Sequence, residues 1–154
     1  MIESPHVDQV PALWAATLHI EVARSQIQQV MGPGIGEVMA AVKAQGAGPT
    51  GPWFAHHLRM APDVFDFDIC VPTSAPIRIA GRVQPWLRPA LKVVHTVYQG
   101  PYEGLGAAWH EFARWVEANG LETAGDLYET YVVGPESSPD PSRWRTGLSR
   151  PLAG

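Results

Sequence analysis

Hydrophobic and polar positions change period several times along this chain, and each change marks an element. From Leu13 to Val22 a mostly apolar run ends in alternation (Leu18, Ile20, Val22), the pattern of a half-buried strand. Ile35, Val38, Met39 and Val42 then recur at helical spacing, and Gly46 offers a stop, so the next element is a helix. Pro33 removes the bond to residue 29, so this helix either starts at Pro33 or bends there. Trp53 to Arg59 reads as a strand. So does Val64 to Val71, where Phe65, Phe67, Ile69 and Val71 alternate with Val64, Asp66, Asp68 and Cys70. Pro72 to Pro76 is a break, and Leu91 to Tyr98, rich in β-branched residues, is the next strand.

The second helix is the clearest element. Pro101 suits a first helical position, where a missing N–H costs nothing, and Glu103 lies in the favourable first turn. Tyr102, Leu105, Trp109, Phe112 and Val116 form one stripe, with Glu111, Arg114 and Glu117 mainly opposite. Asn119-Gly120 supplies a left-handed stop. A strand from Leu127 to Val133, a Pro/Ser turn from Pro135 to Pro141 and a last strand near Trp144 to Ser149 complete the chain.

The two halves repeat in order and punctuation. A shift of 74 pairs Gly46 with Gly120, Gly51 with Gly125, Phe54 with Tyr128, Ala55 with Glu129 and His57 with Tyr131. The expected architecture is one α+β domain over residues 1–154, with repeat halves at about 7–76 and 88–152. Two strand-helix-strand-strand modules, related by a pseudo-twofold axis, would form antiparallel sheets with two main helices and a central ligand groove. Strand parity predicts Phe54, Leu58, Tyr128 and Val132 against the helices. Trp53, Ala55, His57, Leu127, Glu129 and Tyr131 would then line the groove.

Composition narrows the function. At 154 residues, 45% hydrophobic and 17% charged, the chain has the balance of an ordinary soluble globule. A net charge of −4 without a basic run argues against a nucleic-acid surface. The single cysteine, Cys70, excludes an internal disulfide and fits a reducing compartment. No apolar stretch reaches the ~20 residues that span a bilayer. The N-terminus lacks the basic leader and apolar core of a secretory signal, so a cytoplasmic location is expected.

Glu129 is the residue with chemistry to offer, a lone acid in a strand with Tyr131 two residues on, aimed at the same face. Such an arrangement suits a flat, apolar, cationic ligand, because a ring face adds ~0.5–2 kcal/mol of cation–π attraction. Trp53, Trp86 and Trp144 are candidate aromatic walls, with His57 at the mate of Tyr131, whereas Trp109 reads as core packing beside Phe112. No metal site is expected: His56 and His57 point to opposite faces, and no Cys or His cluster stands nearby. Asp66 and Asp68 share a face, which reads as a solvated strand surface. Cys70 has no local cation to lower its pKa, and Gly32-Pro33-Gly34-x-Gly36 has proline where a phosphate-cradling turn needs a free N–H.

Gly100-Pro101-Tyr102, the helix ending at Gly120, Glu129-Thr130-Tyr131 and Thr146-x-Leu148-x-x-Pro151, in this order, resemble the GyrI-like or AraC-type effector-binding domains over nearly the whole chain. The resemblance implies paired strand-helix-strand-strand modules with a ligand groove between them and the Glu-x-Tyr glutamate, here Glu129, at its centre beside Tyr131. Relatives often carry histidine two residues before the Gly-Pro, where this chain has Tyr98, which joins the candidate ligand-binding residues. Many relatives are sensor halves of transcription regulators. This chain starts almost at its first strand, so a stand-alone member is expected.

Three functions follow from the resemblance. The leading expectation is a binding protein for small amphipathic or cationic aromatic molecules, without cofactor and without direct nucleic-acid or membrane contact. The second is a hydrolase of cyclopropane-bearing electrophiles, with Glu129 as general acid or base and Tyr131 as hydrogen-bond donor. The third is a regulator that binds a partner protein. The fold alone does not choose among them.

Overall fold

The computed structural model of the chain describes residues 2–153, with Met60 described through its backbone only. Its elements are β1 (His6–Val10), β2 (Leu13–Ala23), α1 (Ile27–Ala44), β3 (Phe54–Met60), β4 (Val64–Pro72), β5 (Gln84–Arg88), β6 (Leu91–Gln99), α2 (Leu105–Ala118), β7 (Leu127–Val133) and β8 (Arg145–Pro151). The protein is α+β, with antiparallel strand pairing and two main helices. Two compact units divide it: Pro11–Ala90, and Leu91–Gly154 together with Met1–Val10.

In the unit Pro11–Ala90 the strand order is β3-β4-β2-β5. Helix α1 lies on the face formed by Leu18, Ile20, Phe67 and Ile69. Gly34 marks its closest approach, since a Cβ there would stand 2.7 Å from Ile69 Cδ1 and 3.3 Å from Ile20 Cδ1. Val38 and Val42, both fully buried, continue that contact stripe one and two turns on. The helix runs through Pro33, which is exposed, and begins six residues before it.

In the other unit the order is β1-β6-β8-β7. Helix α2 buries Ala108, Phe112 and Val116 against Val94 and Tyr98 of β6 and Leu148 of β8. Phe112 and Val116 of the stripe seen in the sequence are therefore core, with Leu105 and Trp109 packed at its edge. Pro101 caps a 3-10 turn at Tyr102–Gly104, and the α-helix proper starts at Leu105.

Both units run strand, helix, strand, strand, and both add an outer strand from an unexpected place. β1 leads into β2 through Pro11-Ala12 but pairs with β6; β5 leads into β6 through Pro89-Ala90 but pairs with β2. Neither outer strand is visible in the hydrophobic pattern. The repeat is also less uniform than a single shift. Gly46 and Gly120, with φ of 64° and 68°, close the two helices, and bulges at His57/Arg59 and Tyr131/Val133 keep the offset of 74. β2 and β6 are offset by four residues more.

Helix placement corrects the parity expectation. Glu129 is opposite Leu148, Tyr131 is opposite Thr146, and His57 is opposite Phe67, so these three lie on the helix-bearing faces. Phe54 and Tyr128 are buried on the faces turned away, and at the bulges Leu58 and Val132 are 39% and 50% exposed. Period-two alternation says which residues share a face; only packing decides which face a helix covers. Among the described residues, no helix is long and apolar enough to cross a membrane.

Candidate functional site

β7 carries Leu127, Glu129 and Tyr131 on the side where α2 packs. The Trp109 indole Nε1–H donates to Glu129 Oε2 at 2.7 Å, and the Tyr131 hydroxyl donates to Glu129 Oε1 at 2.8 Å. Each carboxylate oxygen is thus held by a neutral donor. These bonds fix the orientation of the group.

An aromatic wall continues from this pair. Tyr102, on the 3-10 turn ahead of α2, meets Tyr131 edge-on at 6.0 Å and lies against Trp144 at 4.8 Å. Trp144 is anchored through its indole N–H to the Ser138 carbonyl at 2.9 Å. Trp109 also touches Phe112, its ring tilted at 43°, which ties the site to the core of the unit.

Electrostatics follow from this enclosure. Burial pushes the Tyr131 hydroxyl well above its ordinary range, and the charge and hydrogen bond of Glu129 push it further. Burial raises Tyr102 too, with Glu136 and Glu129 adding to the effect. Both phenols therefore stay protonated at neutral pH and act as donors.

Of the residues singled out in the sequence, the structure gathers Glu129, Tyr131 and Trp144, linked through Tyr102. Tyr98 has a different surrounding: its ring is buried in the core and its hydroxyl donates to the Pro101 carbonyl at 2.8 Å, pinning the turn that carries Tyr102. Gly104 makes that possible, since a Cβ there would collide with the Tyr98 hydroxyl. The other three belong to the unit Pro11–Ala90. His57 stacks on Phe67 at 5.2 Å on the α1 side, Trp86 stacks on His56 at 5.4 Å on the reverse side, and Trp53 is partly buried just ahead of β3. His57 and Trp86 do not share a face.

Two residues of the site were missed. Tyr102 and Trp109 are two helical turns apart and read as core. A tryptophan at the edge of such a stripe carries an N–H that needs a partner, and the nearest acid in strand register was the available clue.

The profile of the GyrI-like small molecule binding domain matches residues 4–152. Several solved structures share the fold at low sequence identity. The C-terminal domain of EcmrR superposes with a TM-score of 0.84 at 21% identity, covering 97% of each chain. Against EcmrR in its complex with DNA the TM-score and identity are again 0.84 and 21%, and this chain spans 57% of that longer chain. SAV2435 bound to tetraphenylphosphonium superposes with a TM-score of 0.71 at 12% identity, covering 99% of this chain and 95% of that one. A hydrolase from Listeria innocua gives 0.67 at 14% identity, covering 97% and 91%. Among curated proteins, none matches the chain by sequence.

Proposed function

The chain belongs to the GyrI-like small molecule binding domain family, and from that premise we propose that it takes organic cations of large aromatic surface, held by Glu129 against Trp109, Tyr131, Tyr102 and Trp144. The observation that carries this reading is the carboxylate oriented by two neutral aromatic donors. A delocalised cation is attracted by the charge and by the ring faces, and being weakly hydrated it loses little on leaving water. SAV2435, which has this fold, is bound to such a cation. Titrating the protein with tetraphenylphosphonium and with neutral triphenylphosphine oxide, followed by tryptophan fluorescence and calorimetry, tests the proposal. Saturable binding of the cation that exceeds binding of the neutral compound is the expected result; no saturable binding of either contradicts it.

A second reading is hydrolysis of cyclopropane-bearing electrophiles, favoured by the Tyr131–Glu129 hydrogen bond, which places a proton donor and a base side by side. Glu129 would take a proton from water as the water oxygen bonds to a ring carbon and the strained C–C bond breaks, while Tyr131 would protonate the departing carbon and regain its proton from Glu129. Mass spectrometry of such a compound after incubation separates turnover from binding: addition of water supports hydrolysis, and unchanged compound removes it.

A further inference from the structure

On the face of the Pro11–Ala90 sheet turned away from α1, register brings together side chains that are far apart in sequence. His19 pairs with Asp68 and Glu21 pairs with Asp66, so all four stand side by side on β2 and β4. One ligand atom from each of His19, Glu21 and Asp66 lies within 4.8 Å of the others.

We propose that His19, Glu21 and Asp66 form a binding site for a divalent transition ion of the zinc class. The geometry of His19 is the first argument. Its Nδ1 is 2.8 Å from Asp68 Oδ1, a hydrogen bond that fixes the orientation of the ring. With Nδ1 directed at Asp68, Nε2 is the ring nitrogen placed to ligate an ion, and Asp66 Oδ1 stands 3.2 Å from it. A proton on Nε2 or a metal ion can bridge atoms at that distance, and the spacing itself suits the ion. Ligands at ~2.0–2.1 Å around a tetrahedral ion are ~3.3 Å apart, which is the separation observed. The carboxylate behind the histidine is the outer-shell partner that metal-bound imidazoles have.

The second argument is Asp66 itself. Its Oδ1 is buried and, apart from the 3.2 Å contact with His19 Nε2, accepts no well-aligned hydrogen bond, although Oδ2 takes one from Arg59 Nε at 2.7 Å. Burying an oxygen without a partner is costly, and an ion removes that cost. Arg59 also reaches Glu21 Oε2 at 3.3 Å, so one guanidinium orients both acids from the far side. The third is charge: three carboxylates (Glu21, Asp66, Asp68) against one guanidinium leave a formal two minus, which a divalent ion neutralises. His19 and Glu21 are half exposed, so an ion has a path in. An imidazole beside carboxylates selects zinc-like ions over magnesium or calcium.

The test is equilibrium dialysis of the chelator-stripped 154-residue chain against zinc chloride, with metal counted by mass spectrometry and cobalt(II) absorption reporting ligand geometry. Wild-type protein is expected to take up zinc at one site and to give a tetrahedral cobalt spectrum. His19→Ala and Glu21→Gln, both at half-exposed positions that leave the fold intact by circular dichroism, should lose uptake and spectrum. Asp68→Asn should weaken binding about 10- to 100-fold, the size of outer-shell effects. His6→Ala, in the other unit, should bind as wild type. Absence of zinc uptake by wild type, or uptake unchanged in His19→Ala and Glu21→Gln, overturns the proposal.

Discussion

Trp109 and Glu129 are 20 residues apart in sequence and joined at 2.7 Å by a hydrogen bond from indole to carboxylate. One end is on α2 and the other on β7, so the bond ties the helix to its sheet. Trp109→Phe keeps most of the ring and removes the donor. A hydrogen bond to a charged group contributes ~1.5–3 kcal/mol, so denaturant unfolding should show a loss of about 2 kcal/mol. Trp109→Ala, which also empties space beside Phe112, should cost about 3 kcal/mol, the low end for a large aromatic because the ring is partly exposed. Equal small losses for both variants would mean that the bond contributes nothing.

Tyr131→Phe separates an enclosed hydroxyl from an open one. An open-groove ring, as the parity expectation had it, would tolerate the change; the observed bond to Glu129 predicts a loss of about 1–2 kcal/mol. Thermal melting of the two proteins measures it, and an unchanged melting temperature would show the hydroxyl to be dispensable.

The glycines of the α2 entry make opposite predictions. A Cβ at Gly104 collides with the Tyr98 hydroxyl, so Gly104→Ala must displace the bond from Tyr98 to Pro101 and should cost about 1–3 kcal/mol. Gly106 is inside the helix with nothing within 4 Å of a Cβ, and Gly106→Ala should stabilise by up to ~1 kcal/mol. Chemical denaturation distinguishes the pair by sign.

His95 carries a pH dependence. Burial lowers its pKa from the ordinary ~6.5, with His6 assisting and Asp8 and Glu3 opposing, and its Nδ1 is 2.7 Å from Ser149 Oγ. A folded-state pKa below the unfolded one means that the unfolded chain takes the proton first. The contribution is therefore whole above pH 6.5 and is lost as pH falls below it. Melting temperatures between about pH 7 and 5 should decline in wild type and decline less in His95→Gln. Identical slopes would remove His95 as the cause.

Much of this architecture was legible because period and punctuation agreed. β7 was read at its observed ends, Leu127–Val133, and the core stripe of α2 came from residues spaced at helical intervals. β1 was missed because His-Val-Asp-Gln-Val is almost wholly exposed and its pairing partner is more than 80 residues on. β5 was missed because Pro85 argues against a strand; as an outer strand, paired only with β2, it tolerates the absent N–H. The orientation of the site was misread for a different reason. Alternation placed Glu129 with Tyr131 correctly but cannot say whether α2 lies over them, and that decides whether Trp109 is packing or a ligand of the carboxylate. The His19, Glu21 and Asp66 cluster is likewise a product of β2–β4 register, which no local spacing reveals.

The central claim is that Glu129 supplies charge to a cation site, and Glu129→Gln tests it most directly by keeping the shape and removing the charge. Calorimetric titration of both proteins with tetraphenylphosphonium and neutral triphenylphosphine oxide, repeated as pH is lowered into the carboxylate range, provides the comparison. The account predicts a loss of about 1–3 kcal/mol, roughly 10- to 100-fold, for the cation and little for the neutral compound. Wild type should also release the cation as the carboxylate protonates, while the variant stays flat. Equal losses for both compounds, or unchanged affinity for the cation, would contradict the claim.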